Sequence, residues 1–406
     1  MSGVLSVVAD KATIRAEQFP VTDHLVYFNH AAVGPLSRNA CQAMQSHASD
    51  QMNHGALHWR KWYAEYERLR EAAAALIGSE SGEISILKNT TEALSFVAEG
   101  YRWQRGDNMV TTDLEFPSNA IPWKALERRG VECRIVQSVE GAFSASDIEP
   151  LFDRRTRILS LSSAAFHNGF APDLKAIGQL CRDRNVLFCL DAIQTLGAIR
   201  LDVTEANIAF LAADGHKWLL GPEGAAIFYC RADAREHLEV LEHGWMNVDR
   251  GGRFLDCPTT LLPDGRRFEG GSLNTIGIYG LRAALDLSRT IGHETIEREV
   301  LRLAGTLARG LEASGWTVRT PRPFGSGIVA ATPPAVESRR SEVDDAGRVD
   351  FPRGMNGIHR WLEDQKVICA VREGMVRFSP HFYNADAEID RVLHLLSGLQ
   401  YRPSLD

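Results

Sequence analysis

The sequence predicts an α/β protein: a large domain whose mostly parallel, seven-stranded sheet is sandwiched by helices, followed by a small α+β C-terminal domain. Two patterns carry this expectation. Between residues 84 and 230 short apolar runs alternate with helical stretches, as they do where parallel strands are joined by crossover helices. Beyond about Arg231 the alternation gives way to a loop rich in Gly, Asp and Arg, two long helices and a mixed set of short elements. The 406 residues, 44% hydrophobic and 24% charged, suffice for one large and one smaller domain, placed at 25–275 and 276–406 after a lead of 1–24.

In chain order, residues 25–28 read as a short strand ending in Asn29-His30-Ala31-Ala32-Val33-Gly34-Pro35, where small residues and a Gly-Pro mark a tight loop. Ser37 caps a helix to about 52. A second helix starts near Trp59 and repeats Trp62, Tyr66, Leu69, Ala73 and Leu76 at three- and four-residue steps until Gly78 stops it. Strands follow at 84–87, 108–112, 131–136, 157–162, 186–190, 208–212 and 225–230, with helices at 91–99, 118–129 and 173–184. Residues 244–275 form a long functional loop; helices at 275–290 and 294–314 lead into strands at 317–319, 327–331 and 376–379 and helices at 354–364 and 385–399. The polar, Pro-bearing stretch 332–350 reads as a flexible surface insertion.

A formal charge of -7 with both signs interspersed leaves no basic stripe for nucleic acid, so a small molecule is the expected partner. No apolar run reaches membrane-spanning length and no leader pattern opens the chain, which predicts a cytoplasmic protein without membrane contact. Seven widely spaced cysteines without a Cys-x-x-Cys pair suggest neither a disulfide framework nor a metal site.

Three stretches carry candidate chemistry. Gly215-His216-Lys217-Trp218-Leu219-Leu220-Gly221-Pro222 puts Lys217 on a turn between two apolar strands, where desolvation would lower its pKa and make it a nucleophile; closing the turn is the plainer role. Lys88-Asn89-Thr90-Thr91-Glu92 runs from a strand end into a helix, and first-turn amides with a hydroxyl suit a phosphate, although the same residues also make an ordinary threonine N-cap. Asp191 follows an apolar strand directly, so its carboxylate either needs a cationic partner or caps a turn. A lysine facing a carbonyl carbon and an aspartate facing a ring nitrogen is the pair that pyridoxal phosphate requires.

These stretches, with Glu115-Phe116-Pro117-Ser118-Asn119, Asp191-x-x-Gln194, Phe268-Glu269-Gly270-Gly271-Ser272-Leu273-Asn274 and Arg377-x-Ser379-x-His381-x-Tyr383-Asn384, resemble the class V aminotransferase family over most of the chain and in the right order. That family includes cysteine desulfurases, selenocysteine lyases, isopenicillin N epimerase and kynureninase and has the fold type I pyridoxal phosphate architecture. The resemblance implies pyridoxal 5'-phosphate as cofactor. Lys217 would be the Schiff-base lysine and acid/base, Asp191 the partner of the pyridine nitrogen, Gln194 that of the phenolic oxygen, and Thr90, Thr91 and His216 the phosphate ligands. Phe116 would stack on the ring, Arg377 would bind the substrate carboxylate, and Ser272 would complete the phosphate site of a neighbouring subunit, implying a homodimer with shared sites.

One departure bears on the reaction. Persulfide-forming desulfurases carry a cysteine on a loop before the carboxylate-binding arginine, whereas Val371-Arg372-Glu373-Gly374-Met375-Val376-Arg377 is short and has none; Cys369 lies in an apolar run and reads as an inert buried thiol. The expected function is therefore Cα deprotonation of an α-amino acid with β-elimination, as in C-S lyases acting on a cysteine derivative. Transamination and epimerisation are the alternatives from the same intermediate, and a catalytically inactive cofactor-binding regulator is the alternative of another class. His167 faces the site or is a loop histidine, and Trp245 and Phe170 are candidate walls of the substrate pocket.

Overall fold

The computed structural model describes residues 10–249, 255–334 and 354–397. Most of the expected insertion at 332–350 and residues 398–399 of the last expected helix lie outside the described residues.

The large sheet has seven strands in the order Ile84–Leu87, Ala226–Cys230, Phe210–Asp214, Leu187–Asp191, Thr156–Ser162, Asn108–Thr112, Glu132–Val136. The last five pair in parallel. Ala226–Cys230 is antiparallel to both its neighbours, because the connection at 215–225 is too short for a crossover helix and must fold straight back. That short return is where Lys217 sits. Buried on both faces, the central strands carry continuous apolar side chains, from Phe188, Cys189 and Leu190 to Phe210, Leu211 and Ala212.

The flanking helices follow their sequence signals. Ser37 accepts the Ala40 amide at 3.2 Å as N-cap of Arg38–His54, and Trp59–Ile77 ends at Gly78 in the left-handed conformation at φ 71°. Trp59–Ile77 buries Tyr66, Leu69, Ala73 and Ile77 against the sheet and against Thr275–Ile291; truncating Leu69 to alanine there would cost about 2–5 kcal/mol. The expected helix at 118–129 is divided into Pro117–Lys124 and a tighter turn, Ala125–Arg129, since Pro122 removes an amide from its interior. Within the lead, Lys11–Gln18 is a helix capped by Asp10.

The smaller C-terminal domain has an antiparallel sheet in the order Ala370–Arg372, Met375–Phe378, Val329–Thr332, Thr317–Val318. Its core is closed by leucines of His293–Ala313 and by Ile358, Leu362, Ile389 and Val392. Val26–Tyr27 joins this domain by pairing in parallel with Val367–Ile368, and Phe28 is buried in the same core. From there the chain enters the seam between the two sheets, where Asn29 bridges to Ser379. No helix of the described residues is long and apolar enough to cross a membrane. Cys41, Cys133, Cys181, Cys189, Cys230 and Cys369 are free thiols.

Candidate active site

At the carboxyl ends of the parallel strands a cavity of about 330 Å³ opens between the two sheets, the place where open α/β sheets bind ligands. Its lining brings together Thr90, Thr91, Phe116, Asp191, Gln194, His216, Lys217 and Arg377. Of the cofactor and carboxylate ligands expected from sequence, Ser272 stands apart, exposed at the edge of another cavity beside Lys88 and Glu242.

Lys217 is held by backbone fit. The carbonyl of His216 accepts the Gly34 amide at 2.7 Å, and a Cβ on Gly34 would come within 2.3 Å of the Lys217 carbonyl oxygen, so only glycine allows this approach. Behind it Trp218 is buried: its indole donates to Gln194 Oε1 at 3.2 Å, and its carbonyl lies 3.0 Å from His381 Nε2. The lysine itself is 9% exposed, with its Nζ 5.7 Å from the centre of the Phe116 ring. Burial pushes its pKa down to about 8, with Arg377 and Arg372 acting in the same direction and Asp191 and Asp214 against it.

Asp191 ends its strand with 1% exposure and accepts one amide, from Ile193 at 3.0 Å. Burial raises its carboxyl to about 6, despite that hydrogen bond and the charge on Lys217. A cation or a protonated ring nitrogen is the partner such a group lacks. Close by, Glu115 accepts the Ser162 amide at 2.8 Å, the Ser162 hydroxyl, and Asn119 Nδ2 at 2.7 Å. Burial pushes it up to about 7, and Asp191 adds to the rise.

At the opposite end the helix Thr90–Gly100 is capped by Asn89 and not by a threonine: Asn89 Oδ1 accepts the Glu92 amide at 2.9 Å. The threonine N-cap expected as the plain alternative is thereby corrected, and both hydroxyls are released for other work. Thr90 Oγ1 accepts the Asp214 amide at 3.0 Å, which ties the helix start to the strand that precedes Lys217, and Thr91 Oγ1 donates to Ser118 at 2.8 Å. The amides of Thr90 and Thr91 have no intrahelical partner, as in any first turn, so this end suits an anion. His216 Nδ1 lies 3.1 Å from Asp214 Oδ2, and Asp214 Oδ1 is buried without a hydrogen bond. Gln194 spends Nε2 on the Ala31 carbonyl at 3.1 Å and keeps its second N–H.

Arg377 is 1% exposed, donates Nη1 to the Phe166 carbonyl, and leaves Nε and Nη2 buried without partners. Burial lowers its pKa, with the neighbouring Arg372 in the same direction. A desolvated guanidinium with half of its fork open fits a carboxylate. His167 does not line the cavity; its neighbour Phe166 does, packed edge-on against Phe116 at 5.2 Å. Trp245 and Phe170 also lie outside this lining. Lining residues given no role from sequence include Ser118, Ile193, Asp214 and Arg372. Asp214 could have been found, since it ends an apolar strand as Asp191 does.

An anion site at a helix start, a buried carboxylate at a strand end, a lysine of lowered pKa and an open guanidinium are attachment points suited to pyridoxal phosphate with an amino acid. Comparison with known proteins supports a pyridoxal phosphate enzyme. The family model for class-V aminotransferases matches residues 26–392. The chain is 28% identical over 398 residues to a probable cysteine desulfurase of Pyrococcus abyssi, covering 94% of this chain and 96% of that one. A probable cysteine desulfurase of Methanothermobacter thermautotrophicus is 35% identical over 245 residues, 59% of this chain and 60% of that protein. Among solved structures, the apo cysteine desulfurase of Thermococcus onnurineus superposes with a TM-score of 0.82 at 25% identity, covering 95% of this chain and 96% of that one. A cystine C-S lyase in complex with its product cysteine persulfide shares the fold at a TM-score of 0.84 and 24% identity, over 94% of this chain and 100% of that one. The chain is an enzyme of the pyridoxal phosphate-dependent class. It belongs to the class-V aminotransferase family.

Proposed function

We propose that the protein removes the Cα proton of a cysteine derivative and eliminates its β-sulfur substituent. The observation that carries the reading is the convergence, in one cavity, of a lysine brought down to about 8, a strand-end carboxylate and a guanidinium with two unpartnered nitrogens. Pyridoxal phosphate, when bound, supplies a sink for the electron pair left at Cα. Lys217 would hold the cofactor, and its amine would take the Cα proton. Asp191 would keep a proton on the ring nitrogen, Thr90, Thr91 and His216 would hold the phosphate, Gln194 would offer its free N–H to the phenolic oxygen, and Phe116 would cover the ring. Arg377 takes the substrate carboxylate on Nε and Nη2 and so orients the Cα–H bond toward Lys217.

Elimination is favoured over persulfide transfer by the thiol inventory. Cys369 is 2% exposed and burial raises its pKa to about 12, so it is not a thiolate at neutral pH. The turn between Arg372 and Met375 holds only Glu373 and Gly374. Relatives bearing the name cysteine desulfurase support a sulfur amino acid as substrate. Pyruvate and ammonia should form from a cysteine conjugate without added keto acid; strict dependence on a keto acid would reassign the enzyme to transamination, and loss of Cα chirality without pyruvate to epimerisation.

A homodimer with shared sites completes the proposal. Met52 and Leu57, 77% and 71% exposed, and Trp59 lie where Arg38–His54 meets Trp59–Ile77, an apolar surface that a second copy would cover. Ser272 would then serve the partner's phosphate site. Light scattering of the purified protein gives the mass, and a monomer that binds cofactor fully would overturn this arrangement.

A further inference from the structure

The cavity holds one more cation than an amino acid with a single carboxylate can use. Arg372 lines it beside Arg377, and strand register puts both on one face. Ala370 stands opposite Arg377 and Arg372 opposite Met375, so the two arginines are diagonal neighbours on the same side of the hairpin. The turn between them holds that register. Glu373 and Gly374 both have positive φ, 46° and 70°, the tight two-residue form that allows no slip, and it is kept although glutamate adopts that conformation at a cost.

Like charges at a diagonal position repel unless something anionic lies between or above them. Among the described residues neither guanidinium is paired with a carboxylate: Arg377 donates to the Phe166 carbonyl and Arg372 to its own neighbour, the Val371 carbonyl at 2.7 Å. The carboxylates that line the cavity, Asp191 and Asp214, close the strand ends on the floor of the large sheet. Arg372 is partly exposed where Arg377 is buried, so the pair makes a deep and a shallow anion position in line.

Building on the function proposed above, we propose that the substrate carries a second carboxylate at the far end of its side chain, and that Arg372 recognises it while Arg377 holds the α-carboxylate. The substrate class is thus a cysteine derivative that is anionic at both ends. Arg372 is a specificity residue, not a participant in the proton transfer.

The test titrates the holoenzyme with three amino acids and follows the cofactor spectrum: S-carboxymethyl-L-cysteine, its neutral amide analogue S-carbamoylmethyl-L-cysteine, and S-methyl-L-cysteine. The acid should bind about tenfold or more tightly than the amide, as a charge-assisted contact to a guanidinium predicts. In Arg372→Gln that ratio should fall to about one, and Arg372→Lys should keep part of it. Equal binding of acid and amide by the unaltered enzyme overturns the inference without any variant, and so does an undiminished ratio in Arg372→Gln. If the three amino acids all change the spectrum without preference, only the second-carboxylate inference fails. If none of them does, the amino-acid reading of the cavity fails with it.

Discussion

Covalent attachment of pyridoxal phosphate to Lys217 should switch on at a pH where an ordinary lysine is inert. The reacting form is the neutral amine. With burial holding its pKa at about 8, roughly one lysine in ten is neutral at pH 7, against about 0.03% for an unperturbed side chain at 10.5, an advantage of about 300-fold. The rate at which apoprotein and cofactor form the coloured adduct should therefore rise about tenfold per pH unit up to about 7, bend near 8 and level above it. Stopped-flow absorbance from pH 6 to 10 reads this directly, with borohydride trapping and peptide mapping to identify Lys217 as the attachment point. The same shift has a stability counterpart of definite sign. Since the folded-state value lies below that of the unfolded chain, the unfolded chain binds more protons between about 8 and 10.5, and apoprotein stability rises with pH through that window. A rate that keeps climbing log-linearly past pH 9 would refute the desolvated environment assigned to Lys217.

Other perturbations test the remaining parts. Replacing Asp191 with asparagine removes the carboxylate from a site of 1% exposure while keeping its size; kcat should fall about 100- to 1000-fold with the fold intact by circular dichroism. Arg377→Gln takes away the open half of the fork, and kcat/KM for the amino acid should drop by about 2–4 kcal/mol, expressed mainly in KM. Gly34→Ala would drive a methyl to 2.3 Å from the Lys217 carbonyl; a loss of about 1–3 kcal/mol in urea unfolding and slower cofactor attachment are expected.

Much of this architecture could be read from residue order, and the exceptions have identifiable causes. The strands at 84–87 and 108–112 fall where the apolar runs placed them, because buried strands have sharp compositional edges. Lys217 and Asp191 were accessible to sequence reasoning because each follows an apolar strand end directly. The antiparallel setting of Ala226–Cys230 was not drawn from the alternation, although the missing helix at 215–225 implies it. Arg372 escaped because nothing local distinguishes it from a solvated arginine; only hairpin register turns it toward Arg377. The helix cap was misassigned for a similar reason, since Asn89, Thr90 and Thr91 are all competent N-caps and the contact of Thr90 with Asp214, distant in sequence, decides among them.

The stapling of Val26–Tyr27 to Val367–Ile368, with the His30 ring 2.7 Å from the Tyr383 hydroxyl, bears on the order of events during synthesis. The strands from Ile84 to Cys230 are contiguous in the chain and can condense while the ribosome is still working. Ala31, which walls the cavity, donates its amide to Ser379 Oγ at 3.0 Å, a contact that does not exist until the last part of the chain has emerged. A nascent chain thus carries a formed sheet and an unfinished cavity, and cofactor capture is deferred to the moment the two ends meet. Truncation near the C-terminus would then cost cofactor retention before it cost the large sheet.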